Sequence, residues 1–372
     1  MLHVVPLMST RAEYGGPAKG TLRQADRLAR AGHDVAVVTL WRGAVPAAKT
    51  ENGARVIAFP ARHIPFSHQF GGLFSVAPLL WLARSRRTFD VLHVHAGREL
   101  WVLLFMLFAR LLRLPFVVQT HGMLNPRGGF GHRLFDTLLT APAYRKAATA
   151  FYLTNYERRS LERLRWFRRL DLLVNGVDAI ADQLPPETLS PEMHVITTAR
   201  LHPRKHIPDL VDAVARVAGM GVPIDLRIYG PDEGDLDQVR ARIAANEAES
   251  YVSYGGPIDY SRVGDELLLS NVYVLPSRAE PFPNSLLEAL CRGLASVCTT
   301  ECGLAPYISK YEAGIVVEPG VDGITKALLE LVDPAVRELL GERALQMCEA
   351  EFSMNRVLEM LAAGYAAATS DR

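Results

Sequence analysis

The chain has 372 residues, 49% of them hydrophobic and 22% charged, which suits about two globular domains and excludes disordered, collagen-like and coiled-coil architectures. A net charge of +1 hides an asymmetry: residues 1–180 carry 25 Lys+Arg against 11 Asp+Glu, and residues 181–372 carry 16 against 29. The basic half is suited to an anion, whether nucleic acid, an anionic membrane or a phosphorylated substrate, and charge alone does not choose among them.

Residues 3–6 open the chain as a short buried strand, and Met1–Pro6 lacks the charged start and long apolar core of a secretory signal. Further strands are expected at 34–40, 55–59, 90–95, 116–120, 149–153 and 172–174, then at 194–198, 225–229, 251–254, 271–275, 296–299 and 315–318. Helical periodicity fills the gaps, as in Ile207, Leu210, Val211, Val214 and Val217. Continuous apolar strands alternating with helices predict parallel sheets covered on both faces, here two Rossmann-like domains. The apolar run 100–114 carries Arg110 and Arg113 and ends at Pro115, too short and too charged for a membrane span. It predicts a helix packed on a sheet, with a surface-lying helix as the alternative. Prolines 185, 186 and 191 mark residues 179–192 as a linker between a domain at 1–178 and one at 193–350, with 351–372 packing back on the first. The cysteines Cys291, Cys298, Cys302 and Cys348 are too few for a disulfide scaffold and suit a reducing cytoplasm.

Ligands of such sheets sit beyond the strands' carboxyl ends, so the residues just after each strand carry the chemistry. Gly15-Gly16 follows the first strand; paired glycines ahead of a helix suit a phosphate, or merely a tight turn. Arg200 and Lys205 follow strand 194–198, where a fork and a point charge suit a diphosphate, although loop cations are often only solvated. The strongest signal is Glu280-Pro-Phe-Pro-Asn284-Ser285-Leu286-Leu287-Glu288 after strand 271–275. Asn284 or Ser285 is expected to cap a helix that stops at Gly293, with Glu288 in its first turn and free amides at 284–287. Capping explains Asn284 and Ser285 without a ligand; it does not explain a carboxylate among prolines.

Glu280 and Glu288 enclose seven residues, and with this E-x7-E spacing the chain resembles glycosyltransferase family 4, whose members are retaining enzymes of the GT-B fold. Other motifs fall in that family's order: Gly15-Gly16, His121-Gly122-Met123-Leu124, Asn175-Gly176-Val177-Asp178, Ala199-Arg200-Leu201 with Lys205, Tyr229-Gly230-Pro231, Gly255-Gly256, and Phe352-Ser353 before a last helix that crosses back to the first domain. The resemblance implies two Rossmann-like domains facing across a cleft, with a nucleotide-diphosphate sugar bound mainly to the second. It gives Arg200 and Lys205 the diphosphate with help from Gly16, Glu288 the ribose, Glu280 the donor sugar, and the loops at Gly230 and Ile258 the base. It puts His121 near the reacting carbon, not as a general base; the plain alternative is a strand-end histidine bonded to backbone.

The chemistry is departure of a diphosphate from an oxocarbenium-like centre, and the Arg200/Lys205 pair can supply the charge that a metal supplies elsewhere. Asp235-Leu236-Asp237 reads as an acidic helix start, and Cys298-x3-Cys302 lacks partners at zinc spacing, so neither a required metal nor another cofactor is expected. The basic half suggests an anionic acceptor, such as a polyprenyl-diphosphate-linked glycan, and a peripheral contact with an anionic membrane at its cytoplasmic face; Arg84, Arg86, Arg87, Arg158, Arg159, Arg163, Arg165, Arg168 and Arg169 are the candidates. The HGML segment also resembles enzymes of bacterial surface-polysaccharide assembly, while Pro126-Arg127-Gly128-Gly129 departs from the family pattern. The rival readings are a sugar-nucleotide epimerase, which would act without an acceptor, a phosphorylase, which would need inorganic phosphate, and a non-catalytic partner protein. Basic residues without interleaved aromatics argue against nucleic acid.

Overall fold

A computed structural model describes residues 1–9, 15–43, 53–63, 72–126, 128–177 and 190–370. The expected linker at 179–192 lies mostly outside these residues, as do Asp178 and Arg127. The chain divides into two compact units, Met1–Gly176 with Met354–Arg372, and Val177–Ser353.

The first unit holds β1 (Leu2–Ser9), β2 (Ala36–Arg42), β3 (Arg55–Pro60), a small antiparallel pair β4 (Arg62–His63) and β5 (Leu73–Phe74), then β6 (Leu92–His95), β7 (Phe116–Gln119), β8 (Ala150–Tyr152) and β9 (Leu170–Leu172). Seven of these form one parallel sheet in the order β3-β2-β1-β6-β7-β8-β9. Every expected strand is present. The small pair was not expected, because two-residue strands have no periodicity to detect. The last strand lies two residues earlier than 172–174: the Leu173 amide makes the final bond to β8, donating to the Tyr152 carbonyl at 2.9 Å, and Val174 is buried beyond the ladder, so its apolar character marks burial and not pairing.

The apolar run forms the helix Leu100–Leu111, and Trp101, Phe105 and Met106 pack with Leu2, Val4, Val94 and Val118 in the core. Complete burial of each such side chain contributes about 1.5–3 kcal/mol. Among the described residues no helix is long and apolar enough to cross a membrane. The C-terminal helix Met354–Ser370 belongs to the first unit. Its Gly364 lies on Phe151, where a Cβ would stand 2.3 Å from the ring, so only glycine permits this approach.

The second unit is a six-stranded parallel sheet of β10 (Met193–Thr198), β11 (Ile224–Tyr229), β12 (Val252–Gly256), β13 (Val272–Leu275), β14 (Ala295–Thr299) and β15 (Ile315–Val317), in the order β12-β11-β10-β13-β14-β15. Ile207, Leu210, Val211, Val214 and Val217 of the helix Ile207–Gly219 pack on it as their spacing predicts. In both sheets the winding reverses beside the first strand, between β1 and β6 and between β10 and β13. Loops diverge there and leave a crevice at the strands' carboxyl ends.

Candidate active site

At the reversal of the second sheet, the turn after β10 carries Arg200 and the one-turn helix Pro203–Lys205, and the loop after β13 carries Glu280. The two loops are joined by backbone, Arg278 N–H donating to the Arg204 carbonyl at 2.9 Å, and by an ion pair between Lys205 Nζ and Glu280. The two side chains are only 11% and 12% exposed. The chain thus brings together, within hydrogen-bonding contact, two residues that lie 75 positions apart.

Arg200 is 58% exposed and holds Glu233 through one nitrogen at 2.9 and 3.0 Å. Glu233 lies just before Asp235-Leu236-Asp237, which reads as an acidic helix start. That start is real, since Leu236–Ala245 is helical with Asp235 at the cap position, but the accepting carboxylate is that of Asp232: its Oδ1 accepts from the amides of Gly234, Asp235 and Leu236 at 2.8, 3.2 and 3.2 Å.

The helix Asn284–Leu290 corrects three expectations. Neither Asn284 nor Ser285 is its cap, because Pro283, with φ −82° and ψ 101°, occupies that position. Glu288 consequently lies in the second turn, where it is 8% exposed. The Leu287 amide is not free, since it donates to the Pro283 carbonyl at 3.1 Å; Ser285 and Leu286 keep first-turn amides without an intrahelical acceptor. Gly293 does end the segment, with φ 73° and with the amides of Gly293 and Leu294 reaching Leu290 and Ala289 at 3.0 and 3.2 Å. Tyr273, in the middle of β13, went unnoticed in the sequence. Its hydroxyl donates to Ser285 Oγ at 2.8 Å and lies 3.3 Å from the Thr198 carbonyl, tying the end of β10 to the helix start. Burial pushes its phenol up to about 12.

Gly230 has a backbone reason to be glycine: its φ is 147°, and a Cβ would stand 1.8 Å from the Ala199 oxygen. It brings the ends of β10 and β11 together. Ile258, half-buried, follows β12 on the same edge.

In the first unit, Gly15 and Gly16 open the helix Gly15–Arg30. His121 follows β7 in the left-handed region, with φ 50°, and the turn is clamped by Glu157, which is 2% exposed. Glu157 Oε1 accepts from the Thr120 hydroxyl and from the Gly122 amide at 2.6 Å, and Oε2 accepts from the Leu153 amide at 2.7 Å. Burial raises this carboxyl, and those three donors oppose the shift. The pattern Thr154-x-x-Glu157, a capping-box spacing ahead of the helix Asn155–Leu164, was the available signal for it.

His121 is bonded to another histidine and not to backbone. His95 Nδ1 and His121 Nε2 are 3.0 Å apart, and His95 Nε2 lies 3.0 Å from His3 Nδ1. His3 Nε2 lies 3.4 Å from the Tyr365 hydroxyl, which is 2.8 Å from His93 Nδ1. Each neutral imidazole and the phenol gives one hydrogen and takes one, so the chain has a single direction. His93 Nε2 is buried without a partner among the described residues. A bare lone pair costs less there than a stranded N–H, so hydrogens run from His93 through Tyr365, His3 and His95, and His121 keeps its N–H on Nδ1. Burial lowers all four imidazoles, His3 and His121 to about 3. His3, His93 and His95 are also the group with metal-ligand proximity among the described residues, but His3 and His95 are hydrogen-bonded to each other, His93 to Tyr365, and no carboxylate or thiolate joins them. The four cysteines are buried and unbridged.

Two family profiles account for most of the chain: "Glycosyl transferase 4-like domain" over residues 15–176 and "Glycosyl transferases group 1" over 185–347. The chain carries these two glycosyltransferase domains one after the other and is a glycosyltransferase of the GT-B type, with hexosyltransferase relatives. Among them, the phosphatidylinositol N-acetylglucosaminyltransferase gpi3 subunit of Schizosaccharomyces pombe is 22% identical over 86% of this chain and 70% of its own length. The alpha-D-kanosaminyltransferase of Streptomyces kanamyceticus is 25% identical over 79% and 83%. HepE from Anabaena, solved with UDP and glucose, superposes with a TM-score of 0.75 at 15% identity, covering 98% of this chain and 99% of that one.

Proposed function

We propose that the chain transfers a sugar, with retention of anomeric configuration, from a nucleoside-diphosphate sugar held by the second unit to a hydroxyl of a glycan or lipid-linked acceptor held by the first. The observation that carries this reading is the Lys205–Glu280 pair at the sheet reversal, a largely desolvated cation and carboxylate joined before any ligand arrives. When the bond from the anomeric carbon to the phosphate oxygen breaks, the electron pair stays on the diphosphate. Lys205 and Arg200 meet that charge, each exchanging a carboxylate partner for phosphate oxygens. Glu280, released from Lys205, accepts from the donor sugar's hydroxyls, and Glu288 accepts from the ribose. The Ser285 and Leu286 amides and the Asn284 side chain add donors, while the Gly230 and Ile258 loops border the base and Gly15-Gly16 admits the phosphate closely.

His121 acts as a donor. Its Nε2 lone pair is used by His95 and burial keeps the ring neutral, so it offers Nδ1–H to a sugar oxygen and has no role as a base. A lipid-linked acceptor is supported by Phe130, Leu134 and Leu138, which are 84%, 47% and 63% exposed at four-residue spacing on the segment after His121. The Arg98–Asp136 fork, at 2.8 and 2.9 Å, ties that segment to the turn after β6.

The test is a thermal-shift titration with UDP, GDP, ADP and dTDP, with and without magnesium, on the native protein, Arg200→Ala and Lys205→Ala. A selective shift that is indifferent to magnesium and lost in both variants is expected. No shift with any nucleotide, or one that survives both substitutions, overturns the assignment.

A further inference from the structure

At the edge of the first sheet opposite His121, where strands begin, a hollow of about 900 Å³ opens between the starts of β7 and β8 and the end of the C-terminal helix. Its rim carries Arg110, Arg113, Arg145, Lys146, Arg168 and Arg169, and no carboxylate lines it among the described residues. Only Arg169 is paired, with Asp171 at 2.7 Å; the side chains of the other five make no hydrogen bond or ion pair with a described residue. The floor is apolar, formed by Leu114, Pro115, Phe116 and the alanines 147, 148, 367 and 368.

Helix carboxyl ends gather on this edge of any parallel sheet, and each favours a nearby cation. That accounts for Arg110, in the last turn of its helix, and for Arg145. It acts less on Arg113 and Lys146, one residue past their helix caps, and does not account for Arg168 and Arg169, which lie in the loop before β9. The second unit supplies an internal comparison: the corresponding connections before β12, β14 and β15 carry Glu247, Glu249, Arg292 and Glu312. The same fold, in the same chain, thus tolerates acidic residues at this edge. Arg113 also sits at φ 58°, at a helix end where glycine is usual, so a less favourable backbone conformation is kept with a cation in place. Six like charges around one apolar-floored hollow repel one another and contribute nothing to packing; a bound anion reverses that cost.

We infer that this hollow is a second phosphate-binding site, which takes a phosphate group carried on a larger, partly apolar body. The length of β7, about 10 Å, lies between Phe116 on its floor and the turn of His121, so the site does not hold reacting atoms. Two sources share this chemistry: the headgroup of an anionic phospholipid, for which the floor receives the glycerol and first methylenes, and a soluble phosphate ester.

The experiment compares the native protein, Lys205→Ala, the triple variant Arg113→Gln/Arg145→Gln/Arg168→Gln, and a control triple, Arg84→Gln/Arg86→Gln/Arg87→Gln. Two probes are used: calorimetric titration with inorganic pyrophosphate, and sedimentation with vesicles of phosphatidylglycerol and phosphatidylcholine against phosphatidylcholine alone. Unchanged unfolding by tryptophan fluorescence for the two triple variants, and an unchanged circular-dichroism melting curve for Lys205→Ala, whose unit holds no tryptophan, establish that each variant is folded. A pyrophosphate affinity that survives Lys205→Ala and falls at least tenfold in the hollow triple, but not in the control, supports the site. A tenfold loss of phosphatidylglycerol-vesicle binding in the hollow triple alone supports it too, with a lipid headgroup as the source; pyrophosphate loss with unchanged vesicle binding points to a soluble ester. Loss with neither probe, or an equal loss in the control triple, overturns it. Because Lys205→Ala separates the two phosphate sites, either one fails independently of the other.

Discussion

The buried histidine chain makes the first unit sensitive to acid in a way that can be calculated. His3, His93 and His95 are 0%, 1% and 0% exposed, and burial holds all three imidazoles well below the ordinary 6.5. Below pH 6.5 the unfolded chain takes up a proton on each of these three that the native state refuses, and half-buried His121 acts in the same sense, so stability falls as pH falls. Each group contributes about 1.4 kcal/mol per pH unit below 6.5, so the three fully buried imidazoles alone give roughly 4 kcal/mol lost between pH 7.5 and 5.5. Against a typical total of about 5–15 kcal/mol, that is a large fraction. Glu157 acts in the opposite sense: its raised carboxyl takes up a proton in the native state first, which removes up to one proton from the net slope where it titrates. All four tryptophans, Trp41, Trp81, Trp101 and Trp166, lie in the first unit, so urea unfolding followed by tryptophan fluorescence reads that unit alone. The midpoint is expected to fall steeply from pH 7.5 to 5.5, and His93→Asn should remove about a quarter to a third of the slope. A flat midpoint to pH 5.5, or native imidazole NMR signals that titrate near 6.5, would refute the neutral hydrogen-bonded chain.

Other consequences are local. Glu157→Gln replaces an acceptor of three hydrogen bonds with a group that turns an N–H towards one of those donors; a loss of about 2–4 kcal/mol in urea unfolding is expected, with faster amide exchange at Gly122, and an unchanged protein would show that the clamp is not needed. For Lys205→Met and Glu280→Gln, each single change should cost more than half of the double change, with a coupling of about 1–3 kcal/mol in a double-mutant cycle; strict additivity would mean the pair is broken in solution. Gly230→Ala places a methyl against the Ala199 carbonyl and should cost about 3 kcal/mol or more, read as a lower melting temperature together with lost nucleotide binding; full retention of both would exclude the close approach of β10 and β11.

The strands were legible because parallel strands buried on both faces are continuous apolar runs, as in 116–118 and 272–275. The E-x7-E segment and the cations after β10 were legible because loop chemistry there departs from what folding alone requires. Partners across the sheet were not. Lys205 and Glu280 were assigned to different parts of a ligand, and only the adjacency of β10 and β13 joins them. Arg200 and Glu233 meet because β10 and β11 end side by side. His3, His93, His95, His121 and Tyr365 come from four elements, and nothing local in a lone strand histidine signals a hydrogen-bonded chain. The basic loops were visible as charge, but the hollow needs four separate segments to close it. Sequence by itself determined the elements, their class and the chemistry available at each strand end, since these depend on residue type and spacing along one segment. Which groups neutralise, orient or strand one another was decided only by the tertiary structure, because that depends on strand order and on what burial removes from water.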